Sequence, residues 1–363
     1  MDFCNYLPSL EIIHESATIA KYSLPDPDFD MPNLVDSRYH TVHEFQNLDI
    51  IQNFNIFHAN ANGLEGKFDI LHTFLASSKA VMDVIAVTET SENNDDSFQN
   101  NVKLDGFDIF HTPTSSTKGG VALYVNSSFD SFERNDFKVQ NSDFEGVWVE
   151  IKNSNSKNIV CGSVYRHPRD NNENINDFLN YMELCLKSVS NENKEVYVCG
   201  DFNIDLLKLD TKTSYLAFYN LMNSNGLIPY ISHPSRIVEG QVPSLIDNIF
   251  SNNISDFVRS GNIYFNLSEH FSQFASMKRD KIDIKKITMF GRDRSKYSPD
   301  HFRDDISIQQ WRYDSNDVNI LMSDFLWRLT GCANRHAPVK KLSPKNVKLR
   351  LKPWMTIEIR KLV

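Results

Sequence analysis

At 363 residues, 40% of them apolar, the chain is long enough to bury a large core, which excludes a disordered polymer. Its five cysteines (Cys4, Cys161, Cys185, Cys199 and Cys332) lack C-x-x-C spacing, and three sit inside apolar runs as small core residues, which fits a reduced, intracellular setting in nucleus or cytoplasm. The formal charge of −9 hides a split: Lys278 to Val363 holds 20 Lys and Arg against 10 Asp and Glu, and the remainder holds 18 against 37.

In chain order, residues 1–50 carry Pro25, Pro27 and Pro32 among Asp residues without sustained periodicity, and read as a leader, partly disordered. From Phe54 the texture changes to a strand (Phe54 to Ala59), then a helix with Phe68, Leu71, Phe74 and Leu75 on one face, then a strand at Val81 to Thr88. Strands are predicted at Val121 to Val125 after Gly119-Gly120, at Val147 to Ile151, at Ile159 to Tyr165 and at Val196 to Cys199. Ile175, Phe178, Leu179, Met182, Leu186 and Val189 outline an amphipathic helix, and another runs from about Thr213 to a stop at Gly226. Late strands follow at Leu245 to Phe250 and Phe271 to Met277.

The runs at 121–125, 147–151 and 159–165 have no helix between them, which argues for antiparallel pairing, whereas strand-helix-strand units elsewhere argue for helices layered on sheet. A mixed α/β sandwich over 51–279 is expected. Beyond it, residues 280–363 read as a basic linker and helical tail, with Val318, Leu321, Met322, Phe325 and Leu329 marking a helix that ends before Pro338. Lys340, Lys341, Lys345, Lys348, Arg350 and Lys352 have no acidic residue among them; they suit either nucleic acid, template RNA included, or a solvated linker. No stretch approaches the roughly 18 uninterrupted apolar residues of a membrane helix, and the N-terminus lacks a signal peptide's basic and apolar regions, so no membrane is expected.

Polar residues recur where the predicted strands end: Asn60 and Asn62, Glu89, Tyr165, then Asp201 and Asn203 after Val196-Tyr197-Val198-Cys199-Gly200. Period-two geometry puts Asp201 and Asn203 on one side of the backbone while Phe202 turns to the core. A carboxylate there can orient and deprotonate a water and an amide can donate to a phosphate oxygen, or the two can simply cap the next turn. Asp247 inside Leu245-Ile246-Asp247-Asn248-Ile249-Phe250 is costly to bury alone, which calls for a partner such as His270 of Ser268-Glu269-His270. Strand ends in layered α/β folds share one rim, so these groups can converge on one cleft. Hard oxygen ligands without paired Cys or several His favour Mg²⁺ or Mn²⁺ over zinc.

Taken together, N-x-N-G-L, T-E-T, V-Y-R-x-P, G-D-F-N-x-D, S-x-L-I-D-N-I-F and S-E-H-F resemble the endonuclease/exonuclease/phosphatase superfamily over Phe54 to Met277, and within it the endonuclease domain of non-LTR (LINE-like) retrotransposon polyproteins. The resemblance implies a DNase I-like, four-layer α/β sandwich of two mixed sheets flanked by helices, extended here by a small basic helical C-terminal segment. It implies a Mg²⁺-dependent phosphodiesterase that nicks DNA and leaves a 3′-hydroxyl for reverse transcription. Glu89 would be a metal ligand with Asn60, and Glu269 would complete the acidic side. Tyr165 would contact the scissile phosphate, Asp201 would activate water, Asn203 would hold the phosphate, and His270, held by Asp247, would face the developing charge. Ser235 and Asn62 would lie near substrate. Relatives carry Ser-Asp-His where this chain has Ser268-Glu269-His270, so the alternative is a weakened or silent remnant that only binds nucleic acid or a partner. Target choice would sit in loops 91–100, 112–118 and 236–243.

Overall fold

The computed structural model describes residues 37–92, 97–153, 156–169, 172–278, 290–311 and 317–341. The chain forms two compact units, Met1–Lys285 and Lys286–Val363. In chain order the first contains β1 (Ser37–Thr41), α1 (Val42–Gln46), β2 (Phe54–Asn60), α2 (Phe68–Ser77), β3 (Val84–Thr88), α3 (Phe98–Asn101), β4 (Phe107–Thr112) and β5 (Val121–Asn126). There follow β6 (Ser131–Glu133), β7 (Val139–Gln140), β8 (Phe144–Ile151), β9 (Ile159–Arg166), α4 (Asn172–Asn191), β10 (Glu195–Asp201), α5 (Thr213–Ser224), β11 (Ile228–Pro229), β12 (Asp247–Ser251), β13 (Phe257–Tyr264) and β14 (Ser272–Met277).

These strands make two mixed seven-stranded sheets, ordered β1-β13-β14-β2-β3-β5-β4 and β11-β12-β10-β9-β8-β6, with β7 pairing β8. Strand alternation makes them two faces of a sandwich. Ile56, Val84 and Leu123 of the first sheet meet Val149, Cys161, Tyr197 and Ile249 of the second in a buried layer between them. The alternate residues face outward under helices: Phe57, Ile85 and Tyr124 pack with Phe45 of α1 and Leu71 and Phe74 of α2. On the far side Trp148, Val160, Val198 and Phe250 pack with Phe178 and Met182 of α4 and Phe218 and Met222 of α5. The result is the expected four-layer α/β sandwich.

Two differences from expectation have simple physical origins. β8 and β9 pair antiparallel as expected, but β5 joins β3 and β4 in the other sheet, because the chain crosses between the sheets after β5 and the short strands β6 and β7 pair with β8 instead. Residues 37–50 are not leader: β1 runs parallel to β13, and α1 starts with a capping box between Thr41 and Glu44 and buries Phe45 completely. Five-residue elements are too short to show a period. The rest of the expected leader, residues 1–36, lies outside the described residues.

The second unit pairs β15 (Phe290–Arg292) with β16 (Val339–Lys341), and between them run α6 (Pro299–Ser307) and α7 (Val318–His336), the latter stopping ahead of Pro338 as its sequence requires. In the basic run, Lys340 pairs with Asp293 at 2.7 Å, while Lys345, Lys348, Arg350 and Lys352 lie outside the described residues. No helix among the described residues is long and apolar enough to cross a membrane.

Candidate active site

The second sheet lines up a row of polar side chains at one end. Asp201, the last residue of β10, is in register with Tyr165 of β9 on one side and with Asp247 of β12 on the other; Glu145 of β8 extends the row opposite Tyr165. Side chains in register across neighbouring strands share a face, so four residues far apart in the chain become neighbours. The first sheet supplies the opposite wall, where Asn60 ends β2 and Glu89 follows β3.

One amide joins the two walls: Asn60 Nδ2 donates to Glu89 Oε1 at 2.8 Å and to Asp201 Oδ2 at 2.9 Å. The Tyr165 hydroxyl lies in the field of the Asp201 and Glu89 carboxylates. His270 Nδ1 donates to Asp247 Oδ2 at 2.8 Å and lies 3.8 Å from Asp201 Oδ2. Asn60, Glu89, Tyr165, Asp201, Asp247 and His270 therefore form one connected, mostly buried cluster. Backbone strain gathers at its edge. Asn62 (φ 44°), Glu89 (φ 51°), Ser91 (φ 57°) and Asn203 (φ 47°) are all left-handed without being glycine, a conformation that persists only where the surroundings enforce it.

Like charge shapes the electrostatics. Burial, followed by the carboxylates of Asp247 and Glu89, pushes Asp201 up to about 8 against the opposing pull of His270. For His270, burial alone lowers the imidazole, but Asp247, Asp201 and Glu89 outweigh it and raise it to about 9. Burial, with Asp201 and Glu89, also holds Tyr165 firmly in its neutral phenol form. Asp247 Oδ1 is buried without a hydrogen-bond partner. One atom each from Asp201, Asp247 and His270 lie within 4.8 Å of one another. Three carboxylates, one orphaned oxygen and a single compensating imidazole are a donor set that fits a hard divalent cation.

The other expected residues are placed as follows. Asn203 donates through Nδ2 to the Arg166 carbonyl at 2.7 Å, and its backbone N–H donates to Asp201 Oδ1. Asn62, exposed on the rim, donates its N–H to Asn60 Oδ1, a local bond that shapes the turn before Gly63. Ser235, expected near substrate, points into the protein. It is fully buried, donates to Asp247 Oδ2 at 2.7 Å and accepts from the Asp247 backbone N–H; a hydroxyl beside a buried carboxylate is better satisfied there than facing solvent. Glu269 does not join the acidic side: in the bend ahead of His270 it turns outward, about half exposed, into an ion pair with Arg236 at 2.8 Å.

Sequence reasoning missed Arg166, Glu145 and His167. Arg166, fully buried, donates to the carbonyls of Phe202, Asn203 and Arg169 and to Asn174 Oδ1, so it straps together the turns that follow β9 and β10. A charged residue closing an apolar strand was the available signal. Glu145 and His167 are buried and 3.1 Å apart.

Residues 53–266 match the model of the family described as the endonuclease/exonuclease/phosphatase family. The chain belongs to that family. Comparison with curated proteins found no match. Among solved structures of similar fold is the AP endonuclease LMAP from Leishmania major, with a TM-score of 0.55 and 14% identity over 73% of this chain and 99% of that one. The endonuclease domain of TRAS1, a telomere-specific non-LTR retrotransposon, gives 0.47 and 14% over 63% and 100%. The Xenopus laevis APE2 catalytic domain gives 0.48 and 16% over 63% and 95%. The family's two-sheet sandwich is the fold described above, and the cluster sits at the strand ends of both sheets.

Proposed function

We propose that the chain is a divalent-metal-dependent phosphodiesterase that nicks DNA and leaves a 3′-hydroxyl, an activity that in non-LTR retrotransposons would prime reverse transcription. The observation that carries this reading is the in-register row Tyr165–Asp201–Asp247 facing Asn60 and Glu89: water activation, phosphate contact and cation binding all become possible within one cleft.

Each side chain has work suited to its surroundings. Asp201, fixed by Asn60 and by the backbone N–H of Asn203, would lose its own proton when a divalent cation brings positive charge to the cleft, and as the carboxylate it orients the attacking water and takes its proton. Attack forms the new P–O bond and breaks the bond to the 3′ oxygen, which leaves as the hydroxyl after taking up a proton. Asn203 has one amide N–H committed to Arg166 and the other free for a phosphate oxygen. Tyr165, held neutral, keeps its hydroxyl proton to donate to a phosphate oxygen. The imidazolium of His270, fixed by Asp247, faces the charge that develops on the phosphoryl oxygens. Glu89, with Asp247 and the Asn60 carbonyl, would hold Mg²⁺ or Mn²⁺, whose positive charge stabilises the same oxygens.

Supercoiled plasmid incubated with the protein and Mg²⁺ should be converted to the open circular form, and Asp201→Ala should abolish the conversion. Failure of the unsubstituted chain to nick, or nicking undiminished in Asp201→Ala, rejects the proposal. One observation favours a weakened relative: the outward Glu269 leaves the acidic side one carboxylate short of the expected set. Calorimetric titration with Mn²⁺ separates the two readings, because a silent remnant has no site that Glu89→Ala removes. Template RNA remains a proposed ligand of the basic C-terminal run.

A further inference from the structure

We propose that Glu145 and His167 form a second carboxylate–imidazole pair, a positioning unit that braces Tyr165 in the cleft. Its activity arm rests on the phosphodiesterase reading above; its spectroscopic arm does not. Glu145 stands next to Tyr165 in the row across β8 and β9. Oε1 is bonded to His167 Nε2 at 3.1 Å, while Oε2 is buried with no hydrogen-bond partner. His167, 6% exposed, sets its ring edge-on to Tyr165, with centroids 5.0 Å apart and planes at 76°. The Tyr165 ring is thus held edge-on by His167.

The Gly119-Gly120 turn shows that this pair is built in. A Cβ on Gly119 would lie 2.8 Å from Thr114 Oγ1, 2.9 Å from Glu145 Oε1 and 2.9 Å from His167 Cε1, so only glycine lets the turn close over the pair. The same turn accepts from the backbone N–H groups of Thr90 and Ser91, the two residues after Glu89. One backbone segment therefore ties the Glu89 wall to the Glu145–His167 wall. A fully buried carboxylate with one unsatisfied oxygen is costly where an apolar side chain would fill the space at no penalty. Packing does not require it, and a fixed Tyr165 does. A misplacement of about 1 Å at a reacting phosphate is enough to cost on the order of 10²-fold in rate.

The test is a double-mutant cycle on plasmid nicking by the full chain, using His167→Ala, Tyr165→Phe and the pair. His167→Ala is expected to lower kcat about 10-fold with KM within about twofold, and to have almost no further effect once Tyr165 is Phe. Equal losses in both backgrounds, or a change confined to KM, would overturn the proposal. The arm independent of activity is the ring ¹³Cζ signal of Tyr165, assigned by its disappearance in Tyr165→Phe. It should shift or broaden in His167→Ala; an unmoved signal refutes the bracing role even in a chain that does not nick. A moved signal with no nicking by the unsubstituted chain tells against the nuclease reading alone. If His167→Ala does not fold, Glu145→Gln, which keeps the volume and removes the charge, undergoes both measurements with the same expectations.

Discussion

Asp201 is buried beside two other carboxylates, Asp247 and Glu89, and the consequence is measurable. Its raised value means that the folded state holds a proton that the unfolded chain releases near 4, so its contribution to stability falls as pH rises toward about 8. His270, raised to about 9, contributes stability that is intact below about 6.5 and lost on passing through 9. Both trends have the same sign. Metal-free protein should therefore melt about 5 °C lower at pH 8.5 than at pH 6, and Asp201→Asn should flatten the profile; a profile flat in the unsubstituted protein would contradict the charge arrangement described here. Ser235→Ala should cost about 1–3 kcal/mol by leaving Asp247 Oδ2 and two backbone N–H groups short of a partner, with KM unchanged because the hydroxyl points into the protein. Most of the cluster is legible in the sequence because its members end apolar runs, where a polar side chain has no packing reason to be. Orientation is not legible: Ser235 and Glu269 have suitable chemistry and point elsewhere, and Glu145, embedded in Phe-Glu-Gly-Val-Trp, looks like an ordinary solvent-facing strand residue until β9 covers it.

At the scale of elements, β10 is the member on which the site depends most, because it touches both β9 and β12 and delivers Asp201 between them. Gly200 makes that contact possible: a Cβ there would fall 2.0 Å from the carbonyl oxygen of Val164 in the neighbouring strand. Gly200→Ala must push β9 and β10 apart. Denaturant unfolding should show a loss of about 3 kcal/mol, and nicking should drop with it because Asp201 is the next residue; an alanine variant of unchanged stability would show that the two strands are not so closely apposed. Strands with apolar runs, such as β9 and β10, are readable because both faces are buried and their interiors are mostly apolar. β13 was not foreseen: Phe257-Val258-Arg259-Ser260-Gly261-Asn262-Ile263-Tyr264 has neither alternation nor an apolar run, and it is a strand only because β1 and β14 flank it. β4, interrupted by Asp108 and His111 at the edge of its sheet, was missed for a related reason: an edge strand is half exposed and its composition reflects that.

For the whole molecule, the division of charge sets a problem for a polyanionic substrate. The sandwich lies within the acidic portion, whereas Lys278 to Val363 carries twice as many basic as acidic residues. All three hydrophobic clusters draw their members from residues 45–277, so the first unit owns its core and should fold without the second. Chain 1–285 is accordingly expected to keep a melting temperature within about 3 °C of the full chain. If the basic segment binds phosphates, its removal should raise KM for plasmid about 10-fold at 100 mM salt while kcat holds, and should flatten the decline of affinity with salt by roughly one unit of log–log slope for each phosphate no longer neutralised. An unchanged KM would assign DNA binding entirely to the cleft and its loops, where Lys67 feels the charges of both Glu89 and Lys118. A fall in kcat with KM unchanged would instead place the second unit's contribution on the chemistry, which the charge argument does not allow.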